Sequence, residues 1–137
     1  MRLFLDTGAL VAIEDLDDVN HKAAIQFREK IRLGQTPFRS LHTSNYIIDE
    51  TLTILRIHCG HTVAVAFRKA LEASRLVRIG WITEPIEKAA WKIFEKHADK
   101  EYSFTDCTSF ALMQTEAIRT AFTFDQHFAQ FGFATVP

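Results

Sequence analysis

The sequence predicts an α/β fold, a three-layer α/β/α sandwich built on a parallel sheet of roughly five strands. Three observations predict it. Short apolar or β-forming runs alternate with segments of helical period along the chain, which implies βαβ units and a sheet covered on both faces. The 137 residues are 47% hydrophobic and 24% charged, enough to bury a sizeable core. No internal repeat and no Pro/Gly/Ser-rich stretch interrupts the pattern, so residues 1–137 are expected to form a single domain.

The elements follow in order. Leu3-Phe4-Leu5 reads as a buried strand stopped by Asp6-Thr7-Gly8 and feeding a helix. Helical periodicity spans His21–Arg32, and Ser40–Ser44 reads as the second strand. Tyr46–Arg56 is helical, with Gly60 after it as a stop signal. Thr62–Ser74 carries Val63, Phe67, Ala70, Leu71 and Ser74 on one helical face. Val77–Ile82 is rich in β-formers. Glu84-Pro85 opens a helix to about His97, since proline is tolerated in a first turn. Thr105–Glu116 is the next helix, and Thr120–Phe124 and Phe133–Val136 are the last strands, with a short helix between them.

Composition excludes several classes. Five Gly and three Pro rule out collagen-like and low-complexity chains. The apolar runs are far too short to span a bilayer. Met1-Arg2-Leu3-Phe4-Leu5-Asp6 meets an acid almost at once, so no secretory signal is expected there. Cys59 and Cys107 have neither metal-type nor redox spacing, which suits reduced thiols in a cytoplasmic protein. A net charge of −1 excludes bulk attraction to nucleic acid, so such a partner must be held locally.

In parallel sheets, ligands sit outside the carboxyl ends of the strands. Asp6 and Asp125 are placed there, after the first and fourth strands. Helical phase singles out two further acids. At about 100° per residue from Tyr46, Glu50 falls near 40°, inside the apolar arc of Tyr46, Ile54 and Ile47, whereas Asp49 falls on the polar arc. Asp106 likewise falls between Met113 and Phe110. A carboxylate on a core-facing arc is costly without compensation, and neither arc offers Lys or Arg at adjacent helical positions. Taken singly, Asp6 and Asp125 can serve as helix N-caps and Asp106 as a first-turn acid. Four converging carboxylates repel, and a divalent cation with oxygen preference, Mg²⁺ or Mn²⁺, would offset that repulsion.

Four segments carry a family resemblance. Phe4-Leu5-Asp6-Thr7-Gly8-Ala9-Leu10, Ser44-Asn45-Tyr46-Ile47-Ile48-Asp49-Glu50-Thr51-Leu52, Tyr102-Ser103-Phe104-Thr105-Asp106-Cys107-Thr108-Ser109-Phe110-Ala111 and Thr123-Phe124-Asp125-Gln126-His127-Phe128 resemble, in order and spacing, the four motifs of the PIN domain, the nuclease domain of VapC-type toxins. The resemblance implies a PIN-like fold and a Mg²⁺- or Mn²⁺-dependent ribonuclease that cleaves RNA phosphodiesters. Asp6, Glu50, Asp106 and Asp125 would be its catalytic, metal-holding acids. The first three would hold one ion, with Asp125 behind them or on a second ion, and Thr7 and Thr123 would orient carboxylates or water. It further implies the toxin of a type II toxin–antitoxin pair, an antitoxin partner and often a homodimer. A non-toxin PIN nuclease and a catalytically silent PIN-like scaffold are the alternatives.

Other signals are set aside. The Lys88, Lys92, Lys96 and Lys100 series reads as a solvated helix face, with Trp91, Ile93 and Phe94 on its apolar side. His58-Cys59-Gly60-His61 lacks partners at zinc spacing. The 12 Phe suit core packing more than base stacking, and for His127 a surface or packing role is favoured over contact with substrate. Asp6-Thr7-Gly8 lacks the second acid of a receiver domain or an Asp-x-Asp phosphatase, and no glycine-rich turn marks a dinucleotide site.

Overall fold

A computed structural model describes residues 1–137. It contains strands β1 (Arg2–Leu5), β2 (Ser40–Ser44), β3 (Val77–Gly80), β4 (Thr120–Phe122) and β5 (Ala134–Val136). Helices α1 (Thr7–Glu14) and α2 (His21–Arg32) join β1 to β2; α3 (Asn45–Cys59) and α4 (His61–Ala73) join β2 to β3. Helices α5 (Glu84–Lys96) and α6 (Phe104–Thr115) join β3 to β4, and α7 (Gln126–Phe131) joins β4 to β5. The five strands form one parallel sheet in the order β3-β2-β1-β4-β5. The order reverses between β1 and β4, so the crevice beyond their carboxyl ends is the switch point where such sheets bind ligands.

Strand alternation divides the core. Leu5, Leu41, Val77 and Phe122 face Leu10, Ile31 and Phe67 of α1, α2 and α4 across an apolar cavity of about 190 Å³. On the opposite face Phe4 meets Phe128 of α7, and Gly80 lies where an added Cβ would come within 3.0 Å of Leu112 of α6. The sandwich is therefore three-layered, as its sequence predicts. Phe4, Phe110, Phe122 and Phe128 are fully buried, and each large ring removed from water contributes roughly 2–3 kcal/mol.

Ends of elements differ from the sequence expectation for local reasons. The third strand stops at Gly80 because the Ile82 N–H turns to the Asn45 side chain (2.8 Å) rather than continuing the ladder. The fourth stops at Phe122, two residues earlier than expected, because the Thr123 hydroxyl accepts the Asp125 N–H and turns the chain. The buried face of α4 is centred on Ala64, Phe67 and Leu71, with Ala70 exposed and Val63 half-buried. On α5 the buried residue is Ala90, while Trp91 and Phe94, expected on its apolar side, are 52% and 41% exposed. Gly60, at φ +94°, ends α3 and opens α4, a conformation that L side chains rarely adopt. Both cysteines are unpaired, and burial pushes the Cys107 thiol up to about 11, leaving it unreactive at neutral pH.

Candidate active site

Parallel pairing of β1 with β4 sets Leu5 opposite Phe122, so Asp6 and Thr123 leave the sheet side by side. Asp6 is 6% exposed and caps α1. One of its carboxylate oxygens accepts the Thr7 N–H and the other the Thr123 hydroxyl, each at 2.8 Å. Asp125 caps α7, its Oδ1 accepting the His127 N–H at 2.9 Å. Asp106 lies in the first turn of α6 in a reciprocal cap with Ser103, both bonds 3.0 Å long. The structural roles open to the three acids in the sequence are thus all realised, and they bring the acids to one place.

The imidazole of His127 joins two of them. Its Nδ1 lies 3.0 Å from Asp106 Oδ2 and 3.2 Å from Asp125 Oδ2, so a proton carried there is shared between both carboxylates. Ligand atoms of Asp106, Asp125 and His127 all fall within 4.8 Å of one another. His127, expected at a surface or in packing, instead stands inside the acidic group. Its position two residues past the Asp125 cap was the available signal, since helical side chains tilt toward the helix N-terminus.

The electrostatics are unbalanced. Burial raises the Asp6 carboxyl from its ordinary 3.8 to about 7; the Thr123 hydroxyl lowers it, the Asp106 charge raises it, and Thr7 and Asp125 act in the same opposing pair with smaller effect. Burial also raises Asp106, against the Ser103 N–H and the His127 bond. No Lys or Arg ion-pairs with Asp6, Asp106 or Asp125. Thr7 Oγ1 is buried there without a hydrogen-bond partner. Oxygen donors, an unpartnered hydroxyl and uncompensated carboxylates fit a hard divalent cation.

Glu50 is not among the groups whose charge shifts Asp6 or Asp106. It lies in the middle of α3, half-buried rather than facing the core as its helical phase suggested, and makes neither an ion pair nor a side-chain hydrogen bond. Asp49 is exposed, as its polar phase predicts. The Thr123 hydroxyl donates to Asp6, whereas Thr7 meets Asp6 through its backbone N–H, its own hydroxyl making no bond.

A parallel sheet with acids at its β1/β4 switch point is the architecture of the PIN fold, and the PIN domain family model matches residues 3–134. The chain belongs to the PIN domain family. It is 36% identical over 134 residues, 98% of this chain and 97% of the relative, to the 23S rRNA-specific endonuclease VapC20 of Mycobacterium tuberculosis. It is 26% identical over 110 residues, 80% of this chain and 68% of the relative, to a VapC ribonuclease of Archaeoglobus fulgidus. The crystal structure of M. tuberculosis VapC20, described as a Sarcin-Ricin loop cleaving toxin, superposes with a TM-score of 0.87 at 35% identity, covering 98% of both chains. FitAcB from Neisseria gonorrhoeae shares the fold at TM-score 0.68 and 20% identity, covering 98% of this chain and 96% of that one. No helix is long and apolar enough to cross a membrane.

Proposed function

We propose that this chain is a divalent-metal-dependent endoribonuclease and the toxin of a toxin–antitoxin pair. The observation that carries the chemistry is the convergence of Asp6, Asp106 and Asp125 without a single Lys or Arg among them. Homology to VapC ribonucleases supports RNA as substrate, and the 23S rRNA specificity of the 36% identical relative makes ribosomal RNA the first substrate to test.

In this reading Asp6 and Asp106 hold Mg²⁺ or Mn²⁺, with Glu50 completing the set from α3 and Asp125 behind them or on a second ion. When bound, such an ion eases deprotonation of water and offsets charge on the phosphoryl oxygens. The Thr123 hydroxyl and the Thr7 N–H fix the two oxygens of Asp6, and the Ser103 N–H fixes Oδ2 of Asp106. His127 Nδ1 stands within hydrogen-bond distance of Asp106 and Asp125 at once, which holds the two carboxylates in place. Residues 1–137 act as one PIN-like unit in the cytoplasm, with an antitoxin and a second copy as protein partners.

The test compares purified wild type with Asp6→Asn on ribosomal RNA in Mn²⁺ or Mg²⁺, mapping the cut ends. Wild type should cut at discrete positions, Asp6→Asn and chelator-treated protein should not. A wild type that binds the ion and leaves RNA intact marks a silent scaffold instead.

A further inference from the structure

Beside the carboxylates lies a cleft of about 380 Å³ whose walls include Trp91, Phe94, His97, Tyr102 and Lys100. Tyr102 links the two regions. It is 6% exposed, and its ring stands edge-on to His127 at 5.5 Å on one side and to His97 at 5.5 Å on the other. Trp91 and Phe94 are stacked at 5.7 Å with an interplanar angle of 23°, yet 52% and 41% exposed. Two adjacent large rings held in one stacked geometry and left in water present a flat π surface that the fold's own core does not use. One cation lines the cleft, Lys100, whose ammonium lies 3.7 Å from the exposed Asp99 carboxylate, a loose surface pair that a phosphate can replace. Glu95 is the one acid on the wall. Because Tyr102 lies between His127 and His97, a phosphodiester chain held at the carboxylates and running on along this wall meets the rings, and every base offers a π face to stack on them.

We propose that this cleft is a base-stacking subsite, which takes an unstacked nucleobase adjoining the scissile phosphate of the RNA; the inference rests on the nuclease reading above. It assigns Trp91 and Phe94 a substrate-positioning role.

The chain has two tryptophans, so Trp81→Phe leaves Trp91 as the only indole reporter. The probe is hexa-adenylate RNA, titrated in chelator so that it stays intact, against a base-free ribose-phosphate oligomer of equal length. The expected result is that hexa-adenylate quenches Trp91 emission by roughly half or more and the base-free oligomer leaves it unchanged, with Phe94→Ala weakening the hexa-adenylate affinity about fivefold or more. Equal quenching by both oligomers, or by neither, overturns the proposal. So does sedimentation showing that Phe94→Ala abolishes self-association while Trp91 ignores hexa-adenylate, which makes the face a contact between copies. Cleavage of ribosomal RNA by wild type is measured in parallel. Cleavage without a Trp91 response sinks the subsite alone; a Trp91 response without cleavage sinks the nuclease reading and leaves the base site standing.

Discussion

Two polar clusters in this molecule use nearly the same residue types and differ in the sign of their charge. In one, the Ser40 hydroxyl lies 2.9 Å from His42 Nε2, and His42 Nδ1 lies 3.8 Å from Glu116. Burial holds the His42 imidazole below its ordinary value; Glu116 pulls it up, and Arg2 and Arg78 push it down. That cluster contains both signs, and its members need nothing further. In the other, Thr123, His127, Asp6, Asp106 and Asp125 meet with no arginine or lysine, and Asp6 is driven up to about 7. A hydroxyl, an imidazole and a carboxylate in proximity do not make a catalytic centre. Carboxylates with no Lys or Arg among them, held by caps that the fold requires anyway, are what mark the second cluster.

The largest expected effect separates the clusters by activity. Asp6→Asn should lower metal-dependent RNA cleavage on the order of a hundredfold or more while His42→Ala leaves the turnover rate unchanged. Gel assays at equal protein concentration check this, and parental activity in Asp6→Asn breaks the comparison. Next comes the ion itself. Mn²⁺ at a hundredfold over its Kd should stabilise wild type by about 2.7 kcal/mol, a rise of roughly 9 °C in the thermal midpoint, and Asp106→Asn should abolish the shift. Glu116→Gln should leave it intact; a metal shift that depends on Glu116 would place the ion in the wrong cluster.

A pH series sharpens the contrast further. The folded-state Asp6 carboxyl titrates near 7, above its ordinary 3.8, so folding favours the protonated acid. Its contribution to stability is complete below 3.8 and is lost as pH rises through about 7. In chelator, the thermal midpoint of wild type should therefore fall across that window by several degrees, and Asp6→Asn should flatten the fall. A midpoint that climbs equally in both proteins contradicts the buried-acid argument. The smallest effect is on His42: Arg78→Ala should move its imidazole titration upward by a fraction of a pH unit in NMR, with stability changed by about 0.5 kcal/mol or less.

Much of this was legible in the residues, for reasons that differ by element. Parallel strands buried on both faces must read as short apolar runs, and Leu3-Phe4-Leu5 does. Asp6 and Asp125 were legible because a strand that ends in an acid and opens a helix has one geometry for it, the N-cap. Asp106 was legible as an acid inside an apolar phase, and it is 8% exposed. Glu50 had the same phase signal and is only half-buried, because phase gives a direction from the helix axis without saying whether a neighbour lies there. Trp91 and Phe94 erred the same way: an apolar stripe on α5 was expected to find a partner, and Ala90 occupies the buried position instead. His127 was missed because its partner Asp106 lies 21 residues away, on another helix.

Local rules are written into the chain: which segments are strands or helices, where caps and stops fall, and which acids have no nearby counterion. These depend on residues within one or two turns of each other, and a single sequence displays them all. Which of those acids meet, whether an imidazole stands between them, and which aromatic rings stay in water were decided only by packing, since the order β3-β2-β1-β4-β5 sets Asp6 beside Thr123 across 117 residues. Repulsion acts through space, so its origin is invisible until distant segments are brought together.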